Sequence, residues 1–180
     1  VVLPDPQPRM TEEEIKEKYP WATTGRKRGT QHRVITSLDL DSVKMEAHNR
    51  HLQEKYRLVE ENEVRFEEID CEDAEYVFVA YGSSARIAQK SVQLARAEGL
   101  KVGLLRPITL FPFPTKAIQN LIDRGAKGFL AVELSCGQMI EDVKLAVNGR
   151  VKAEHFGRVG GIIHTPEEVL EAMKKQIIGE

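Results

Sequence analysis

From Tyr76 onward the chain alternates short apolar runs with helix-length amphipathic segments four times over, and few folds accept that pattern. "YVFVAY" (Tyr76–Tyr81) is rich in β-branched and aromatic residues and stops at Gly82, as a buried strand does. A helix is expected from about Ser83 to Glu98, with Ala85, Ala88, Val92 and Ala95 along one face. "KVGLLR" supplies a second strand and "TKAIQNLIDRG" a second helix closed by Gly125. "GFLAVEL" is a third strand, followed by a helix over Gly137–Val147 in which Met139, Val143 and Val147 recur at every fourth position. "VKAEHFG" is a fourth strand. "TPEEVLEAMKKQI" is the last helix, announced by Thr165 as cap, Pro166 in the first turn and Glu168 reaching back. Strands joined through helices run parallel and are covered on both sides. The expected fold class is therefore α/β, a three-layer, mostly parallel sheet with helices on both faces.

Upstream of about Asp73 the pattern is weak, which divides the chain into a linker arm (1–72) and an α/β domain (73–180). Thr11 and Glu14 form a capping box that predicts a short helix in "MTEEEIKEK". "TTGRKRGTQHRV" reads as a Gly-bounded basic loop. Asp41 or Ser42 then caps a long charged helix expected to run through about Glu67, its narrow apolar stripe made of Leu52, Tyr56, Val59 and Phe66. Such a helix is marginal by itself and needs a surface to lie on. The start Val1-Val2-Leu3-Pro4, without an initiator methionine, reads as cut from a longer polypeptide.

The bulk properties narrow the partners. A chain of 180 residues suffices for one well-cored domain with some extra chain. A net charge of −2 gives no global reason to bind nucleic acid or a membrane surface. The basic run Arg26-Lys27-Arg28 lacks interleaved aromatics and reads as a solvated loop. No apolar run approaches the length of about 18 residues that a membrane span requires, and no signal peptide is visible. Two cysteines, Cys71 and Cys136, make no disulfide framework and suit a reducing cytoplasm, the expected location.

Open α/β sheets bind ligands at the carboxyl ends of their strands. In "YGSSAR", Gly82, Ser83, Ser84 and Arg86 stand at a helix start and form a candidate anion contact, with simple serine capping as the alternative. "RPITLFPFP" carries Pro107, Pro112 and Pro114, which stiffen a connection that also holds Phe111 and Phe113. A stiff aromatic loop suits a partner surface; burial of both phenylalanines inside the domain is the alternative. Arg106 could meet a carboxylate or phosphate, or form a structural ion pair.

Cys136 sits before a helix start, where a thiol tends toward thiolate. A nucleophile also needs a positioned base, and none of His32, His48, His51, His155 and His164 is brought to it by the sequence, so no catalytic residue is assigned. Glu133 and Gln138 are better candidates for polar contacts across an interface. His48 and His51 share a helix face but lack a third ligand, so no metal site is assigned. No C-x-x-C occurs, which excludes a conventional iron–sulfur cluster held by this chain alone.

In order, "HLQEKY", "VAYGSSAR", "GLLRPITLFPFP", "VELSCGQMIEDVKLAV" and "GRVGG…TPEEV" resemble the C-terminal part of the alpha-type subunit of 2-oxoacid:ferredoxin oxidoreductases. Within that family the branched-chain enzymes acting on 2-ketoisovalerate (3-methyl-2-oxobutanoate) are the nearest in kind. The resemblance implies a transketolase C-terminal-domain-like fold. It also implies an enzyme that uses thiamine diphosphate, Mg²⁺, iron–sulfur clusters and coenzyme A to turn a 2-oxoacid into an acyl-CoA, passing electrons to ferredoxin. None of these cofactors is expected on this segment alone. Its implied partners are the beta-, gamma- and delta-type subunits, ferredoxin through the complex, and an oligomeric assembly. The implied role is domain and subunit packing, with interface candidates Arg106, Phe111, Phe113, Glu133, Gly137, Gln138, Gly160 and Gly161. A cysteine at 136 is not part of the family pattern, which makes it a bystander. Two other readings use the same sheet: a non-catalytic small-anion-binding or regulatory module, and the equivalent domain of a lipoamide-linked 2-oxoacid dehydrogenase subunit.

Overall fold

A computed structural model describes residues 9–22, 34 and 36–179. Val1–Pro4, the basic run at Arg26–Arg28 and His32 lie outside the described residues. The chain forms two compact units, residues 1–49 and 50–180.

In the first unit, α1 (Glu12–Lys18) opens with the capping box anticipated from sequence. Glu14 N donates to Thr11 Oγ1 at 3.2 Å, and Thr11 N donates to Glu14 Oε2 at 2.7 Å. Acidic residues fill its first turn and lysines its last, complementing the helix dipole. α2 (Ser42–Asn62) begins where Asp41, of the two candidate caps, accepts bonds from Val43 N and Lys44 N at 3.0 and 3.2 Å.

In the second unit α2 ends at Asn62, not near Glu67, and Phe66 does not belong to its stripe. Residues Phe66–Ile69 form strand β1, antiparallel to β3 (Val102–Pro107), with Phe66 opposite Pro107 and Ile69 opposite Leu104. The reason is the open edge of β3. Pairing there satisfies backbone donors and acceptors that would otherwise face solvent, and that gain outweighs extending a poorly buried helix. Arg65 O accepts from Ile108 N and Thr109 N at 2.9 and 3.1 Å, which extends the join beyond the ladder. The sheet therefore begins upstream of the expected division near Asp73.

The remaining elements follow the expected alternation: β2 (Tyr76–Ala80), α3 (Gly82–Ala97), β3, α4 (Thr115–Asp123), β4 (Gly128–Glu133), α5 (Met139–Val147), β5 (Lys152–Gly157) and α6 (Pro166–Met173). A short π-helical turn, Lys174–Ile178, ends the described chain. Strand order is β1-β3-β2-β4-β5, parallel throughout except for β1. Alternate strand residues feed two cores. Val77, Val79, Leu105, Phe129 and Ala131 pack with α4 and α5 on one face. Phe78, Ala80, Leu104, Leu130 and Val132 pack with α3 and α6 on the other. α6 starts with its own capping box, Thr165 with Glu168. Among the described residues no helix is long and apolar enough to cross a membrane.

Candidate functional site

The four parallel strands deliver their following loops to one end of the sheet, and the anion-contact and interface candidates named from sequence lie in or beside those loops, whereas His48 and His51 lie on α2. After β2, Tyr81 occupies the N-cap of α3 without a side-chain cap bond, so serine capping does not occur there. Gly82 adopts φ +57°, which an L-residue with a side chain rarely holds. Ser83 and Arg86 are exposed, whereas Ser84 is buried. The Ser84 hydroxyl lies 3.1 Å from His164 Nε2, so it faces the core rather than an anion beside Ser83. His164 is 3% exposed, packs against the Phe156 ring and has no partner on Nδ1 among the described residues. Burial pushes its pKa below the ordinary value; the nearby Arg158 cation adds to that, while Glu168 opposes it.

After β3, Arg106 Nη1 donates to Glu67 Oε2 at 2.7 Å, the ion-pair reading of that residue. The proline-rich loop is braced by Thr109, whose hydroxyl donates to Pro112 O at 2.9 Å and accepts from Arg65 N at 3.0 Å. Its two phenylalanines part company. Phe111 is 63% exposed and meets Tyr56 edge-on at 6.2 Å, while Phe113 packs against the α4–α5 core. Burial of both rings is thereby excluded.

After β4 the chain makes the tightest polar arrangement of the rim. Glu133 is 2% exposed, which removes it as a group for contacts across an interface. Its Oε2 accepts from Gln138 N, Met139 N and the Ser135 hydroxyl at 3.1, 3.0 and 3.0 Å, and its Oε1 accepts from Ile140 N at 3.0 Å. The carboxylate thus caps α5 from beneath, meeting free helix N–H groups with a full negative charge. His155 Nε2 stands 3.8 Å from Oε1. Gly137, at φ +109°, and Gln138 complete the turn, with Gln138 and Cys136 exposed. No histidine or carboxylate bonds to Cys136 among the described residues, so no nucleophile–base pair forms there.

After β5, Gly157 passes so close to the previous loop that a Cβ would stand 2.1 Å from Ser135 O. Arg158 pairs with Glu168 and lies 6.0 Å over Phe156. Gly160 and Gly161, both at positive φ, are exposed, as are Val159, Ile162 and Ile163.

One cleft, of about 490 Å³, opens beside the first turns of α3. Its walls are Gly82, Ser83, Arg86 and Gln89 on one side and Glu67 and Arg106 on the other, over a floor of Ile69, Ala85 and Leu104. It exists because β1 extends the sheet past α3, leaving a strip of that face without a helix above it. Sequence reasoning missed Glu67, hidden in a supposed helix. It also missed the capping role of Glu133, for which the signal was an acid just before a helix whose N-cap, Gln138, cannot cap well. Among the described residues no group of three or more His, Cys, Asp and Glu side chains converges as a metal site would require.

Comparison with known proteins gives these geometries a family. Residues 74–169, more than half of the chain, match the pyruvate:ferredoxin oxidoreductase core domain II family. The chain is 47% identical over 172 residues to the ketoisovalerate oxidoreductase subunit VorB of Methanothermobacter thermautotrophicus, covering 94% of this chain and 48% of that protein. It is 36% identical over 101 residues to the 2-oxoglutarate synthase subunit KorA of Methanocaldococcus jannaschii, covering 56% of this chain and 27% of that protein. The chain thus spans about half the length of the VorB relative. Among solved structures, a 2-oxoglutarate:ferredoxin oxidoreductase from Magnetococcus marinus with 2-oxoglutarate, coenzyme A and succinyl-CoA bound superposes with a TM-score of 0.65 at 22% identity. That match covers 76% of this chain and 24% of the other. A split-gene transketolase, an inactive beta4 tetramer, superposes at 0.54 with 16% identity, covering 63% and 41%. These two matches bear on the fold alone, which is the transketolase C-terminal-like α/β fold. The chain belongs to the pyruvate:ferredoxin oxidoreductase core domain II family.

Proposed function

We propose that this chain is the packing domain of a cytoplasmic 2-oxoacid:ferredoxin oxidoreductase subunit of the ketoisovalerate type, acting in a complex with beta-, gamma- and delta-type subunits. The whole enzyme would decarboxylate the 2-oxoacid oxidatively to an acyl-CoA and pass electrons to ferredoxin. Thiamine diphosphate, Mg²⁺ and the clusters would be held by other domains, and would supply the carbanion and electron-transfer chemistry. What carries this reading is the rim itself. Large apolar side chains stand exposed after each parallel strand: Tyr81, Phe111, Leu134 and Ile162 are 38%, 63%, 46% and 59% accessible. An apolar set spread over four loops at one end of a sheet matches the core of a protein interface better than it matches a solvated surface. The likeness to VorB supports the substrate type.

The test is reconstitution. The chain alone, given 2-ketoisovalerate, thiamine diphosphate, Mg²⁺, coenzyme A and a viologen dye, is expected to leave the dye oxidised. Co-expressed with the remaining parts of the enzyme, it is expected to co-purify with them, and Ile162→Glu should abolish co-purification. Dye reduction by the chain alone, or unimpaired assembly of the Ile162→Glu variant, would overturn the packing role.

A further inference from the structure

We infer that the cleft between α3 and the β1–β3 edge binds a small organic anion, an oxyanion on a short aliphatic stem, through Arg86 and Arg106. The volume of about 490 Å³ lies within the range of small-molecule sites and exceeds what one ordered water needs. The floor is apolar: Leu104 and Ala85 are buried, and Ile69 is half-buried. The walls carry two guanidinium groups against a single carboxylate, Glu67. That carboxylate engages only Nη1 of Arg106, at 2.7 Å. The remaining guanidinium N–H groups of Arg106, and the whole guanidinium of Arg86, have no hydrogen-bond or ion-pair partner among the described residues. Unlike the exposed ion pairs elsewhere on this surface, Arg86 is left with its charge uncompensated beside apolar floor atoms. A planar fork of donors next to a second guanidinium suits a carboxylate or phosphate, which would neutralise the excess positive charge while its stem covers Leu104 and Ile69. A neutral molecule of the same shape gains only the apolar part. The inference rests on the two guanidinium groups and the apolar floor of the cleft, whereas the packing role rests on Tyr81, Phe111, Leu134 and Ile162, none of which lines it.

The test is a titration of the ¹⁵N-labelled chain followed by amide chemical shifts, with sodium butyrate, butyl phosphate, inorganic phosphate and the neutral control butyramide. Expected are saturable shifts at Arg86, Leu104 and Arg106 with butyrate or butyl phosphate, and a dissociation constant on the order of 1 mM or tighter. Inorganic phosphate should bind about tenfold more weakly, butyramide should give no saturation, and Arg86→Gln should weaken the better anion about tenfold. Because Arg86 is exposed and unpaired, Arg86→Gln should melt with the parent, so lost binding is not lost folding. If butyrate shares its preference with butyl phosphate, the site reads an oxyanion in general; a preference for one identifies the headgroup. No saturation with any anion, butyramide binding equal to butyrate, or an Arg86→Gln variant that binds as the parent does would each overturn the inference.

Discussion

Ser84 Oγ and His164 Nε2 meet at 3.1 Å although 80 positions separate them in the chain. The contact ties the first turn of α3 to the segment that launches α6. A second bond on the same seam, Ser91 Oγ to Pro166 O at 2.9 Å, makes the two helices one unit on their face of the sheet.

The histidine in that pair makes stability depend on pH. Its folded pKa lies below the ordinary 6.5, chiefly through burial. Below that value the unfolded chain binds a proton that the folded chain resists, so stability falls as pH drops through 6.5 toward the folded pKa. Melting temperature followed by circular dichroism is expected to decline over this interval. His164→Gln, which retains a partner for Ser84, should flatten the decline while lowering the melting temperature near neutrality.

The two thiols should behave as a buried and an exposed probe. Burial, aided by the neighbouring Glu68 charge, raises Cys71 to about 11, whereas Cys136 is exposed. Alkylation at mildly alkaline pH should modify Cys136 alone in the folded chain and both cysteines in denaturant, as read by mass spectrometry of the peptides. Equal labelling of Cys71 in the folded chain would contradict its position against β3.

Glu133→Gln should destabilise the domain by about 1–3 kcal/mol, because the amide loses the charge that meets the α5 N–H groups and turns a donor toward donors. Glu133→Ala should cost at least as much. Urea titration gives the magnitude, and hydrogen exchange should show the amides of Gln138, Met139 and Ile140 losing protection first.

Gly157→Ala should also destabilise, by about 1–3 kcal/mol, since the new methyl would meet Ser135 O and force β5 and the β4 loop apart. Gly149→Ala serves as the comparison: Gly149 has a positive φ, which Gly157 lacks, and nothing lies within 4 Å of its added Cβ, so there backbone strain alone is at stake.

What could be read from sequence was what local chemistry decides. Both capping boxes, at Thr11 and Thr165, are written in four consecutive residues, and the buried strands declare themselves by apolar runs. β1 escaped because Phe66 fits a helical stripe as well as a strand, and only the open edge of β3, some 40 residues away in the chain, decides between them. The burial of Glu133, a candidate for interface contacts by sequence, is not legible there because three of its four donors belong to the backbone, which carries no sequence signature. The arginine cleft needed three elements at once. Arg86 and Arg106 were both singled out, but the strand that brings Glu67 beside them was not.

The capping of α5 by Glu133 has a further consequence for how this loop can change. Because the turn is anchored by main-chain amides and one interior carboxylate, the outward side chains of Leu134, Cys136 and Gln138 carry none of the load of holding it. Those positions are free to diverge, so a lineage can reshape what the tip touches while the bend beneath it stays as it is.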